Sequence, residues 1–298
     1  MDHVNGLMCV LAHPDDESLA LGGTLAMYAA KGIPTSLVMA TRGERGWPGE
    51  PGAYPGPRAL GRIREAELRA AAAALGVGDL VFLDQLDGEL DQADQGAMVA
   101  KIVAEIRRIR PAVIATFGPD GAYGHPDHIA ISQLTTTAVI LAADPGFDVP
   151  TGAPAHRVAK LYYRIWTAAE CDLYRSVFRD TGIDVAGERR QWVSWPDWAI
   201  TTRLDTVDYW PEVRDAVACH RSQIGDVAEL VELDVRGHRR LWGTQHFFRA
   251  MSVVAVDPSV EDDLFAGLGR QPHATGRIRL MPNGVASEPR QDELIATG

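Results

Sequence analysis

Near its start the chain reads LMCVLAHPDDE from Leu7 to Glu17, and this stretch decides the fold class. The apolar run Leu7–Ala12 has the length and composition of a buried strand, and a polar turn follows it. Helical spacing of apolar residues then extends from Ser18 to Ala30, where a lysine and a glycine are typical of a helix end. A strand, a polar turn and a helix are the first half of a βαβ unit.

The same alternation continues to about residue 166. Further strands are predicted at Thr35–Ala40, Leu80–Leu83, Ala112–Phe117 and Leu161–Trp166, and helices at Arg58–Leu75, Gln92–Arg110 and Pro126–Ala142. Strands separated by helices favour right-handed crossovers and a largely parallel sheet, so the sequence predicts an α/β fold.

The second half has a weaker pattern. We expect a Pro/Gly-rich linker at 144–157, a tryptophan-containing lid or subdomain at 166–200, a helix over Asp208–Gln223 capped by Asp208, and a late strand over Gln245–Val254. The length suits one domain spanning 1–298, with a core of about 5–165, lid and C-terminal elements over 166–256 and a loosely ordered tail over 257–298.

Composition narrows the class of protein. The 298 residues include 29 basic and 40 acidic side chains, a net charge of -11, which argues against nucleic acid or a membrane surface as partner. Three scattered cysteines and no apolar leader or membrane-spanning run suggest a cytoplasmic protein without a disulfide scaffold. Assembly of identical subunits is compatible with the sequence.

Loops after the first four strands should converge, because ligands of such sheets bind beyond the carboxyl ends of the strands. Two of these loops carry the motifs AHPDDE, from Ala12 to Glu17, and GHPDH, from Gly124 to His128. Both motifs follow a predicted strand and open a predicted helix. The two motifs should therefore lie together if the first and fourth strands are neighbours.

Two histidines and a carboxylate supply the ligands of a catalytic zinc site. His13, Asp16 and His128 are the predicted ligands, and the same donors also suit Fe²⁺, Co²⁺ or Mn²⁺. Asp15 is the predicted general base, and His125 is either a general acid or an electrostatic partner for an oxyanion.

Asp127 is expected to bond to His125, fix its tautomer and raise its pKa. Each motif also has an ordinary structural interpretation. Asp15, Asp16 or Ser18 could cap the first helix, and Pro126 suits the first position of the second. The coincidence of both motifs at one sheet edge favours the metal site.

The two motifs resemble those of the PIG-L/LmbE-like N-acetylglucosaminyl deacetylases, over roughly residues 5–140. Supporting matches are TRGE at 41–44, REAEL at 64–68, LDG at 86–88 and, more weakly, HRSQ at 220–223. The resemblance implies a Rossmann-like three-layer αβα sandwich, a zinc ion and hydrolysis of an N-acyl group from an amino sugar.

The resemblance also implies roles for individual residues. It implies that His13, Asp16 and His128 bind the metal and that Asp15 is the base. It also implies that His125 assists the oxyanion or the leaving amine and that Asp127 supports His125. It further implies that Tyr123 acts at the tetrahedral centre and that Arg64 and Asp87 contact substrate.

Alternatives remain open for several of these residues. Arg64 could be a surface cation paired with Glu67. The tryptophans could stack on a sugar or simply pack, and packing is the more common role. His220 is expected to be a satisfied structural histidine.

Two other functions compete with sugar deacetylation. One is an amidase acting on a thiol conjugate or a modified antibiotic. The other is a non-catalytic sugar- or metal-binding module, which the presence of both Asp15 and His125 disfavours, since binding alone needs no free base.

Overall fold

The computed structural model describes residues 6–177, 182–185, 187–255 and 259–268, without the side chains of 224–227. Within these residues, the centre is a seven-stranded sheet of order β3-β2-β1-β4-β5-β9-β8. Its strands are β1 (Leu7–Leu11), β2 (Thr35–Met39), β3 (Asp79–Phe82), β4 (Val113–Phe117), β5 (Lys160–Ile165), β8 (Thr202–Asp205) and β9 (Thr244–Ser252). A separate hairpin pairs β6 (Ile183–Val185) with β7 (Glu188–Arg190).

Helices flank this sheet in two layers. They are α1 (Asp16–Ala30), α2 (Pro57–Ala74), α3 (Gln95–Ile109), the short α4 (Gly121–Gly124), α5 (Pro126–Ala142), α6 (Ala168–Val177), α7 (Trp210–Val217), α8 (Ile224–Val231) and α9 (Val235–Trp242). One layer packs α1 and α2 with α7, and the other packs α3 with α5. The predicted three-layer α/β sandwich is confirmed.

The strands β1 to β5 run parallel, and β1 lies between β2 and β4. Every residue of β1, β2 and β4 is buried, as expected for central strands covered by helices on both faces. Since β1 and β4 are hydrogen-bonded neighbours, the loops that follow them emerge side by side. The fold therefore brings the two histidine motifs to one edge of the sheet.

The second half contains elements that the sequence did not predict, namely α6, the β6–β7 hairpin, α8 and α9. It also differs from the prediction at strand β8 and at the helix over Asp208–Gln223. Strand β8 was not predicted, and it extends the sheet by pairing antiparallel with β9. The helix predicted over Asp208–Gln223 is shorter, with α7 beginning at Trp210 and 3-10 turns before and after it. Asp208 does not cap it, because Pro211 sets the helix start and Asp208 lies within the preceding 3-10 turn.

The segment after β9 packs on the core where it is described. Leu264 and Phe265 are buried, and Tyr28 of α1 donates a hydrogen bond to Asp263. Residues 269–298, to which most of the predicted loose tail belongs, lie outside the described residues. No helix in the described ranges combines the length and apolar character needed to cross a membrane.

Candidate functional site

Donor atoms of three side chains converge where the loops after β1 and β4 meet. His13 Nδ1 lies 3.2 Å from His128 Nε2, His128 Nε2 lies 3.3 Å from Asp16 Oδ1, and His13 Nδ1 lies 3.8 Å from Asp16 Oδ2. Ligands held tetrahedrally at about 2.0–2.2 Å from an ion stand about 3.3–3.6 Å from one another. The spacing and chemistry of these three buried side chains therefore fit a divalent metal ion.

Asp16 is fixed by the backbone that precedes it. Its Oδ2 accepts the amide hydrogens of Ala12 and His13, at 3.2 and 2.8 Å, which leaves Oδ1 facing His128. Burial acts to raise the pKa of Asp16, but attraction to His128 and His13 outweighs it and lowers the pKa to about 2. The carboxyl is thus held as an anion, the form that binds a metal.

The second nitrogen of His13 points to two carboxylates. His13 Nε2 lies 3.1 Å from Asp127 Oδ2 and 3.1 Å from Asp87 Oδ1. The fully buried Asp127 also accepts the amide hydrogens of Gly88 and Leu90. A proton on Nε2 directs the Nδ1 lone pair towards Asp16 and His128, which is the usual arrangement for a ligating histidine backed by a carboxylate.

His125 has a different environment from the one predicted. The Asp127 carboxylate contacts His13 rather than the His125 ring, and only the backbone N–H of Asp127 donates to His125 Nδ1, at 3.1 Å. The amide fixes the tautomer by making Nδ1 an acceptor. The expected rise in pKa is wrong: burial and the neighbouring rings of His13 and His128 lower the pKa of His125 to about 3, outweighing the opposite effect of Asp127.

Two other groups of side chains have donor atoms that all lie within 4.8 Å of one another. They are His13 with His125 and His128, and His13 with Asp87 and Asp127. The second set would use oxygens of Asp127 that backbone amides already occupy. In the set of His13, Asp16 and His128, the backbone amides bond only to Oδ2 of Asp16 and leave Oδ1 facing His128. Each pair of these side chains approaches within 3.8 Å, through one or the other oxygen of Asp16. We therefore take this set as the candidate metal site.

Asp15 stands beside this set in a strained backbone conformation, with φ of 113°. Its Oδ2 accepts a hydrogen bond from Arg64 Nη2 at 2.9 Å. Burial raises the pKa of Asp15 to about 6, with a further contribution from Asp16 and against the effect of Arg64. Such a carboxyl exchanges protons near neutral pH, which is what a general base requires.

Arg64 is a buried residue of α2 and not a surface cation. Its guanidinium also donates to the carbonyls of Pro14 and Gly43, and its side chain is 4% exposed. The alternative pairing partner, Glu67, instead accepts two hydrogen bonds from Ser222. Arg64 therefore links the loops after β1 and β2 around the Asp15 carboxylate.

Tyr123 lies against both histidines of its loop. Its ring centroid is 5.3 Å from that of His128 and 6.0 Å from that of His125. Trp192, in the predicted lid region, also packs against the Tyr123 ring, with centroids 5.4 Å apart. This tryptophan packs on side chains in the present structure, in line with the more common of its two predicted roles.

Sequence reasoning missed one pair near the site. Glu17 and His220 are almost completely buried, and His220 Nε2 lies 2.7 Å from Glu17 Oε1. The only signals in the sequence were the glutamate that ends the first motif and the HRSQ resemblance at 220–223, neither of which predicts the contact. The prediction that His220 is a structural histidine with a hydrogen-bond partner is confirmed for its Nε2.

Comparison with known proteins places the chain in a family. A profile of the GlcNAc-PI de-N-acetylase family, PIG-L, matches residues 8–139. A 1D-myo-inositol 2-acetamido-2-deoxy-alpha-D-glucopyranoside deacetylase of Kineococcus radiotolerans is 32% identical, over 90% of this chain and 84% of the relative. The enzyme of the same name from Thermobispora bispora is 34% identical, over 88% of this chain and 98% of the relative.

A solved structure has the same architecture. A conserved protein of Thermus thermophilus superposes with a TM-score of 0.59 and 26% identity, over 84% of this chain and 96% of that one. The fold, the profile match and the two relatives agree with one another. This chain belongs to the PIG-L family of de-N-acetylases.

Proposed function

We propose that this protein is a metal-dependent N-deacetylase that hydrolyses the acetamido group of an amino-sugar conjugate. The observation that carries the proposal is that Asp15 and Asp16, adjacent in the loop after β1, have carboxylates with different partners. Asp16 faces His128, whereas Asp15 faces Arg64 and stays outside the set of donors. A binding module would need the first arrangement but has no use for the second.

His13, Asp16 and His128 would hold the ion, and zinc suits this ligand set best. When bound, such an ion polarises the acyl carbonyl and makes water more acidic, towards a pKa of ~7. The buried Asp127 and Asp87 carboxylates keep His13 oriented for this purpose.

Asp15 removes a proton from the attacking water. Arg64 binds its Oδ2, and no hydrogen bond within the described residues reaches Oδ1, so Oδ1 is the oxygen that accepts the proton. The same carboxyl is then able to return the proton to the leaving amine.

His125 donates a hydrogen bond to the developing oxyanion. Its Nδ1 accepts the Asp127 amide, so a neutral ring carries its proton on Nε2, which is available to a ligand. Tyr123 packs beside His125, and its hydroxyl supplies a second hydrogen-bond donor at the same centre.

The substrate class follows from the relatives. Both named relatives act on an acetamido-glucopyranoside linked to inositol, and we extend this class to the present chain. We also assign substrate contact to Arg64 and Asp87, which lie beside the general base and the candidate ligand His13. Their contacts with Asp15 and His13 give them a positioning role as well.

The test is acetate release from a panel of N-acetylglucosamine conjugates, including the inositol glycoside and N,N'-diacetylchitobiose, with and without a chelator. We expect chelator-sensitive release from at least one conjugate, and a fall in kcat of about 10²-fold or more in Asp15→Asn with metal content unchanged. Metal binding by the wild type without acetate release from any conjugate would instead support a binding module.

A further inference from the structure

The turn His220–Gln223 connects three parts of the molecule, and the proposed chemistry assigns it no role. His220 bonds to Glu17 at the start of α1, and Ser222 bonds to Glu67 of α2. Gln223 Nε2 donates to the Gly46 carbonyl in the loop after β2, at 2.8 Å. Of these contacts, the one made by His220 lies nearest the chemistry.

Glu17 shares its two oxygens between His220 and Asp15. Its Oε1 accepts from His220 Nε2 at 2.7 Å and from the Ser18 hydroxyl at 2.5 Å. Its Oε2 accepts the backbone N–H of Asp15 at 3.0 Å. Glu17 and His220 are 0% and 1% exposed, so this chain of hydrogen bonds runs through the protein interior.

The Asp15 backbone needs such support. A non-glycine residue with φ of 113° is strained, and strain of this kind persists only where the surroundings enforce it. The Asp15 side chain does not cap α1, so its own carboxylate does not fix its backbone. Glu17 holds the Asp15 amide, and Arg64 holds its carboxylate and the preceding carbonyl.

We propose that Glu17 and His220 are positioning residues that hold Asp15 in the conformation required of the general base. The inference rests on the proposed function, because it assigns Asp15 that role. His220 acts through Glu17, and Glu17 acts through the Asp15 amide. Residues 203 positions apart in sequence are thereby coupled at the base.

A purely structural role makes a different prediction. If the pair only fastens α1 to the 220–223 turn, removing it lowers stability while the folded enzyme keeps its kcat. If the pair positions Asp15, kcat falls in folded protein while KM and metal content stay near wild type, because a small displacement of a catalytic group costs up to about 10²-fold in rate.

The experiment compares His220→Ala with His220→Gln, whose amide can still donate to Glu17. His238→Ala is the matched control, since His238 is also buried and bonds through Nε2, to the Leu230 carbonyl. At saturating substrate we expect His220→Ala to lose about 10–100-fold in kcat. We expect His220→Gln to recover most of the loss and His238→Ala to keep wild-type kcat per folded molecule. Equal kcat in His220→Ala and wild type, or an equal loss in His238→Ala, would overturn the proposal.

Glu17 provides a second pair of variants if His220→Ala does not fold. Glu17→Gln retains an oxygen that can accept the Asp15 amide, whereas Glu17→Ala does not. We expect kcat to be largely kept in the first and lost in the second. Equal losses in both would contradict a role that passes through the Asp15 amide.

Crystal structures of the variants separate this inference from the proposed function. If the wild type releases no acetate, the proposed function fails, but the backbone of Asp15 can still be compared. We expect φ of Asp15 to leave the positive region, or the Arg64 contact to break, in Glu17→Ala or His220→Ala. An unchanged Asp15 in the folded variants would refute positioning whatever the activity.

Discussion

His13 makes contacts through both ring nitrogens, and each nitrogen faces a different kind of partner. Nδ1 faces His128 and Asp16, and Nε2 faces the carboxylates of Asp87 and Asp127. Replacing a carboxylate behind a ligating histidine typically costs about 10–100-fold in metal affinity or activity. The environment of this one imidazole therefore sets how tightly the site can bind.

We expect Asp127→Asn to weaken zinc affinity about 10–100-fold without unfolding the protein. The amide is isosteric but has no charge, and its NH₂ group cannot accept the hydrogen bond that Gly88 or Leu90 donates to the carboxylate. Chelator competition measures the affinity, with the exposed Asp91→Asn as control. Unchanged affinity in Asp127→Asn would show that His13 needs no carboxylate behind it.

For the individual residues of the site, the sequence predicted which side chains would lie together but not all of the contacts between them. His13, Asp16 and His128 could be placed together on the condition that the first and fourth strands are neighbours, and the structure shows that β1 and β4 are. The contact of Asp127 with His13 depends on the path of the loop at Gly88, which no periodicity describes. The Glu17–His220 pair depends on a contact across 203 positions, which the sequence pattern does not indicate.

Among the elements, the strand β7 and the residues that follow it lie across the loop that carries Tyr123 and His125. Arg190 donates to the Gly124 carbonyl at 2.8 Å, and the Val193 amide donates to the Ala122 carbonyl. Trp195 Nε1 donates to Asp120 at 3.0 Å. The segment therefore holds a loop in which Ala122 has φ of 65°, an unfavourable value for alanine.

We expect Arg190→Ala to lower kcat/KM about ten-fold or more by releasing this loop, since displaced catalytic groups lose rate steeply. The matched control is Arg189→Ala, whose side chain pairs with Asp184 of the same hairpin. Steady-state kinetics with the best substrate of the acetate-release panel measure kcat/KM for both variants and the wild type. A similar loss in both variants would indicate a general effect of the hairpin.

A second element-level contact joins α6 to the sheet. Glu170 accepts from Arg164 of β5 at 2.8 Å and lies 2.9 Å from His246 Nδ1 of β9. Burial acts to raise the pKa of Glu170, but Arg164 and His246 outweigh it and lower the pKa to about 2, from an ordinary value of 4.5. The folded state thus favours the ionised carboxyl.

This contact should make stability depend on pH. A depressed pKa contributes stability that is complete above about pH 4.5 and is lost as the pH falls towards 2. We expect the difference in unfolding free energy between wild type and Glu170→Gln to be constant from about pH 5 to 7 and to shrink between pH 4.5 and 2. Urea unfolding at several pH values measures it, and a difference that does not change with pH would contradict the assignment.

The elements that the sequence predicted have a clear pattern of apolar residues. Continuous apolar runs identify β1 to β5, and helical spacing identifies the helices between them. Strand β8 was not predicted because it lacks an apolar run. It has only four residues, of which Arg203 and Asp205 are exposed. The helix over Asp208–Gln223 was overextended because periodicity continues past Val217, while the backbone turns at His220 to reach Glu17.

For the whole molecule, Glu261 joins the sheet to the segment that follows it. Its carboxylate accepts from Lys160 at 2.8 Å, Tyr162 at 2.7 Å and Thr202 at 3.1 Å. Its backbone pairs with Thr201 and Arg203 along the outer edge of β8. A fully buried lysine therefore depends on a residue about 100 positions later for its counter-charge.

We expect Glu261→Ala to lower the free energy of unfolding by about 3–5 kcal/mol, because removing one partner leaves a buried charge unpaired. The neighbouring Asp262 is exposed, so Asp262→Ala is the control and should stay within about 0.5 kcal/mol of wild type. Denaturant unfolding measures both. A loss below about 1 kcal/mol in Glu261→Ala would show that Lys160 finds another partner or water.

The position of Glu261 also has a consequence for the order of events during synthesis. The parallel strands β1 to β5 are complete once residue 165 has left the ribosome, and they can begin to pair. Lys160 must then wait for Glu261, roughly 5–20 s at about 5–20 residues per second. During that interval, until β9 is made, the nascent chain exposes the open edge of β5 beside a lysine without its counter-charge, and an open edge is a template for pairing with another chain.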